Sequence, residues 1–135
     1  MLDSSSTDQE ITVVQAVIVV VAVFFLGMGI YALAAPATML RPFDYDLKTA
    51  ASRAEVRGVY GGFGLAVAAV LTYAALTPGQ VRTGILLTVG AALAGMALGR
   101  AISALFDERT SFYPNWFYCL VEVAGAAALF AICAP

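Results

Sequence analysis

The chain contains no histidine. That excludes a Ser-His-Asp type triad, a His-ligated haem and the usual zinc sites. It has two cysteines, Cys119 and Cys133, fourteen positions apart on one predicted helix. A helix sets them about 21 Å apart, so they cannot bridge within one chain and read as small apolar packing residues. Charge is scarce too: 12 % of residues are charged and 61 % are hydrophobic, where a soluble domain has about 25 % and about 45–50 %. Net charge is −2, with seven basic and nine acidic residues in short clusters. No basic patch is interleaved with aromatics, so nucleic acid is not an expected partner. Walker A, Rossmann and metalloprotease motifs are absent, and no metal ligand set or nucleophile–base pair is visible. Asp44, Asp46 and Asp107-Glu108 read as solvated charges. A length of 135 residues suffices for one domain.

What the chain has instead is four apolar runs: Ile11–Ala35, Val56–Leu76, Val81–Phe106 and Pro114–Ala134. A helical span needs ~20 residues, and in lipid every backbone polar group must be paired internally. The expected fold class is therefore all-α: an integral membrane four-helix bundle in one domain, residues 1–135, with Met1–Gln9 as a polar tail. Ala32-Leu33-Ala34 looks like a signal-peptide cleavage site. The residues before the first run are acidic, however, and the run is longer than a signal h-region.

The loops set an orientation. Arg41, Lys48, Arg53 and Arg109 lie in the 36–55 and 107–113 loops, with Arg57 and Arg100 close by; the opposite face carries only Arg82. The positive-inside rule puts both loops in the cytoplasm and both termini outside. Tyr45, Tyr113, Trp116, Phe117 and Tyr118 form an aromatic belt at the loop face.

Glu122 is the most informative residue. It lies inside the fourth run, where a carboxylate costs roughly 2.5–3.5 kcal/mol and should have a partner. Arg100 precedes the end of the third run by six residues, so it lies about 9 Å below the loop face; Glu122 follows Pro114 by eight, so about 12 Å below it. Those depths match within the reach of an arginine. Glu55 and Arg57 stand at the rim of the second run and are candidates for the same cluster. Asn115, Tyr118, Cys119 and Glu122 recur at helical spacing, and Gly125 and Ala126 continue that stripe. Arg57 shares a face with Tyr60, Gly61 and Gly64, and Tyr31 ends the first helix at the same level. The candidate polar cluster is thus Glu55, Arg57, Tyr60, Arg100, Asn115, Tyr118 and Glu122. A pocket built this way would be apolar with a few convergent polar groups, as small-ligand sites are. A pair that only fixes helix register is the alternative, and proton-coupled transport is a third reading. The first run holds no carboxylate, which counts against that third reading.

Two small-residue ridges complete the pattern: Gly58-x-x-x-Gly62 extending to Ala66, and Ala91, Gly95, Gly99 and Ser103. Such ridges let helix backbones approach closely. They are expected to pack inside the bundle, or else to form an oligomer interface.

The stretch Glu55-Val56-Arg57-Gly58-Val59-Tyr60-Gly61-Gly62-Phe63 resembles the E-x-R-x-x-Y-G-G signature of a bacterial family of four-span membrane proteins (domain of unknown function 4345), distantly similar to DoxX-like proteins. Leu98-Gly99-Arg100 resembles its third-helix Gly-Arg, and Glu122 falls where its fourth-helix carboxylate is expected. The likeness runs from about residue 15 to 133. It implies a four-helix bundle in a bacterial inner membrane and carries no established reaction. Some DoxX-like proteins resemble subunits of quinone-linked redox complexes. A bound quinone or lipid, or partnership in a homo-oligomer or larger membrane complex, is the corresponding expectation.

Overall fold

The structure is a computed structural model and describes residues 4–133. Its elements are α1 (Ser4–Ala34), α2 (Pro36–Leu40), a 3-10 turn (Arg41–Phe43), α3 (Ala50–Val56), a π-helical segment (Arg57–Gly62), α4 (Phe63–Leu76), α5 (Gln80–Phe106), an irregular π-type turn (Phe112–Trp116) and α6 (Phe117–Ala131). No strand occurs among the described residues. Four stretches, Ser5–Ala34, Ala50–Leu76, Gln80–Phe106 and Phe112–Ala131, are long and apolar enough to cross a membrane. The protein is an all-α chain with the composition and architecture of a multi-pass membrane protein.

The helix limits follow from local chemistry. Pro36 has no N–H to continue α1, and the chain turns at Ala35. Gly79, at φ +108°, takes a conformation that glycine tolerates and reverses the chain between α4 and α5. Two boundaries differ from the sequence expectation. The polar tail is helical from Ser4, and the second span begins at Ala50 rather than Val56. Thr49 opens that span: its hydroxyl accepts from the Ser52 N–H while Ser52 Oγ accepts from the Thr49 N–H. The pattern is a capping box whose third residue is serine in place of the usual Glu or Gln, so it is hard to read from sequence.

α1 packs along α4, and α5 along α6. The two pairs meet in a shared core of Ile18, Phe25, Leu71, Leu86, Leu93 and Leu129. Leu71, Leu86 and Leu129 come from the ends of their helices away from the long loops, and Ile18, Phe25 and Leu93 from the middle of theirs. The outward faces stay apolar, with Val20, Val59, Leu76 and Leu98 all exposed. In water this surface would aggregate; toward acyl chains it needs no cover.

The closest helix contact is not where the ridges predicted it. A Cβ on Gly29 would stand 2.9 Å from the Leu65 nitrogen and 3.0 Å from the Gly61 oxygen, and one on Gly64 would stand 3.1 Å from the Gly29 Cα. Gly29, Gly61 and Gly64 therefore make the backbone-to-backbone crossing of α1 with the second span. Gly58, Gly95 and Gly99 have nothing within 4 Å. Ala66, Ala91 and Ser103 are exposed beside them. Both ridges face outward. Gly61 and Gly64 lie on the face of the second span that meets α1, whereas Gly58 and Gly62 lie on another face and turn away from it.

The side of the membrane on which the termini lie follows from loop charge alone. A C-terminal fusion to a reporter active only in the cytoplasm is expected to be silent, and one placed after Arg109 to be bright. The reverse pattern would put the polar end outside.

Candidate functional site

The polar stripe of the fourth span faces α5. Glu122 and Cys119 are buried, and Tyr118 and Asn115 half-buried. Glu122 is the only buried charged side chain among the described residues. Its partner is Arg100: Nε donates to both carboxylate oxygens, each at 3.0 Å. Arg100 Nη1 donates to Asn115 Oδ1 at 3.4 Å. One turn deeper, the Cys119 thiol donates to the Ala97 carbonyl, Sγ to O 3.7 Å. The matched depths inferred from residue counting place the pair correctly, because α5 runs unbroken to Phe106 and the fourth span starts at the same level.

Two rings complete the surroundings of Arg100. Its guanidinium carbon lies 5.8 Å from the Phe43 ring centre and 5.7 Å from that of Tyr118, and the two rings are 5.6 Å apart. The three centres form a near-equilateral triangle, within cation–π range. Tyr113 adds a further ring beside this group, its centre 6.3 Å from that of Tyr118. Phe43 was not legible as a site residue. It follows a proline in a polar loop, and only the 3-10 turn carries it across to α6. Outside the pair an open cavity of about 400 Å³ is lined by Phe43, Asp44, Ser103, Asp107, Glu108 and Asn115, among others. Phe43 and Asn115, the two residues that bridge to Arg100, form part of its wall.

Glu55 and Arg57 do not join this site, contrary to expectation. Both are exposed. Arg57 Nε donates to the Leu33 carbonyl at 3.0 Å. That carbonyl sits in the last turn of α1, where Pro36 and the turn at Ala35 interrupt the ladder and leave acceptors without helical partners. Arg82 does the same at the other end of the bundle. Pro78 cannot donate to the Ala74 carbonyl, and Arg82 Nε does so at 2.8 Å, with Nη2 on Ala75 O at 3.0 Å. Gln15 adds a donor to Ala75 O at 3.4 Å. Arg82 satisfies a carbonyl freed by Pro78 and Arg57 one freed by the chain break at Ala35, and such pairing is obligatory in lipid. Tyr60 is half-buried in the π-helical segment, with no contact to the Arg100 group. The E-x-R-x-x-Y-G-G stretch is thus mainly a device for docking the second span on α1. Glu55 has no structural role that the contacts explain. Among the described residues no cluster of three potential metal ligands occurs.

The fold and site define a four-span helical membrane protein with a single ion pair held between its last two spans. The chain belongs to the family described as Domain of unknown function (DUF4345), which matches residues 13–133. No curated protein and no solved structure matches it.

Proposed function

We propose that this protein binds a small lipophilic or amphipathic molecule, with the polar end of that molecule at the Arg100–Glu122–Asn115 group. The carrying observation is a largely buried ion pair with an open cavity of about 400 Å³ next to it, separated from Arg100 by Phe43 and Asn115, which touch the arginine and line the cavity. That size is within the range of small-molecule sites. The arginine's charge is already matched by Glu122, and the cavity wall adds Asp44, Asp107 and Glu108 with no basic side chain. An anionic head is therefore disfavoured. A neutral head bearing carbonyl or hydroxyl groups, as a quinone or a neutral lipid has, suits the remaining donors and acceptors. A bacterial inner membrane, with the cavity on the cytoplasmic side, is the setting this reading assumes.

The outward ridge of Gly95 and Gly99 favours a second reading: an accessory subunit or homo-oligomer whose α5 packs on another helix. A native mass spectrum from mild detergent separates the two. The ligand reading predicts a discrete small-molecule adduct on the parent that is missing from the double variant Arg100→Leu with Glu122→Leu. An adduct retained by the double variant, or a bare parent chain, contradicts it. A defined multimer without an adduct supports the second reading.

A further inference from the structure

We infer that the 3-10 turn Arg41–Phe43 is a displaceable strap, and that Phe43 gates the route from the loop face to Arg100. The inference rests on the ligand-binding reading and adds how the site would open. Three observations carry it. First, the strap comes from the loop after the first span, yet its Phe43 ring lies against Tyr118 and Arg100 of the opposite helix pair. Second, that attachment is made by packing, of the Phe43 ring on Tyr118 and Arg100 and of the turn against Phe112–Trp116. The backbone hydrogen bonds of the turn, Asp44 N–H to Arg41 O and Tyr45 N–H to Leu40 O, close on the strap itself. Among the described residues no hydrogen bond or ion pair joins residues 41–45 to α5 or α6. Ring contacts are non-directional enough to be broken and remade without leaving a polar group unpaired, unlike the Arg57 and Arg82 bonds.

Third, the strap has a firm base and a bend at its tip. Leu40, just before it, is buried. Asp44, just after it, has φ +60° and ends the turn in a left-handed conformation. Beyond the bend, Tyr45 and Asp46 are exposed. The shared core is built from the long helices and contains no residue of the strap, so swinging Phe43 away uncovers Arg100 without disturbing it. The open cavity lies between strap and α5, with Pro42, Phe43 and Asp44 on one wall and Ser103 and Ala104 on the other.

The test uses phenylglyoxal, which modifies arginine, with the rate at Arg100 followed by peptide mass spectrometry and Arg109 as the internal reference. No ligand is needed, so its outcome is independent of whether an adduct is found. Phe43→Ala should raise the Arg100 rate about tenfold, as a minor open state becomes the major one. In a Cys133→Ser background, Asp44→Cys and Ala104→Cys are joined by a reducible thiosulfonate cross-linker. The tether should slow modification at Arg100 by about tenfold, and reductant should restore it. Equal rates with and without the tether, or a Phe43→Ala rate equal to the parent's, would overturn the gate. A rise with Phe43→Ala that is not matched by slowing on tethering would make Phe43 a fixed wall and overturn it as well.

Discussion

Replacing Arg100 with leucine is expected to destabilise the protein by about 3–5 kcal/mol, because Glu122 is then left charged and unpaired inside the bundle. Glu122 is 5 % exposed, and both its oxygens accept from Arg100 Nε. No other cation reaches it among the described residues: Arg57 is committed to Leu33 and Arg82 to Ala74 and Ala75. The double change Arg100→Leu with Glu122→Leu removes both charges and both desolvation costs. It should fall close to the parent, since replacing a buried pair by apolar groups is often neutral. Unfolding in mixed micelles, followed by circular dichroism, measures the series. A single variant as stable as the double one would mean that the two charges do not depend on each other.

The second large effect is steric. Gly29→Leu should destabilise the α1–α4 pair by about 3 kcal/mol, at the upper end of ordinary overpacking, because the obstruction is backbone and cannot rotate away. The added Cβ would already lie 2.9 Å from the Leu65 nitrogen, before any longer side chain is placed. Gly64→Leu meets the same wall from the other side, through the Gly29 Cα and the Phe25 carbonyl oxygen. Gly99→Leu has open space and should change stability by no more than about 0.5 kcal/mol in a monomer. The comparison also bears on assembly. If Gly99→Leu leaves melting intact but shifts the size of the purified particle, the outward ridge of α5 is an interface between chains.

The legibility of this chain in its sequence divides by kind of signal. Run length and hydropathy gave the four spans, because a bilayer demands about 20 residues and pairs every backbone group internally. Residue counting gave the Arg100–Glu122 pair, because an unbroken helix converts position into depth at 1.5 Å per residue. Counting misplaced Glu55 and Arg57 because depth does not fix azimuth. Gly61 and Gly64, which ordinary spacing already sets on the face of Arg57, pack on α1, while Gly58 and Gly62 on another face do not. Arg82 could have been assigned from Pro78, which removes the donor to the Ala74 carbonyl that lipid cannot replace; Arg57 caps Leu33, whose helical partner would be Ala37, so its role depends on the break at Ala35. Phe43 carried no signal of any kind; its place depends on a loop path that only tertiary structure reveals.

The pair itself is the centre of this account, and its geometry can be measured in a bilayer. The protein, labelled with ¹⁵N-arginine and ¹³C-glutamate, is reconstituted in lipid, and Nε-to-carboxyl dipolar coupling is recorded by solid-state NMR. Glu122→Gln serves to assign the signal. A direct Arg100–Glu122 bond predicts a strong coupling for a separation within about 4 Å, lost in Glu122→Gln. No coupling between these two groups, with the Glu122 carboxyl correlated instead to water or to another arginine, would contradict it.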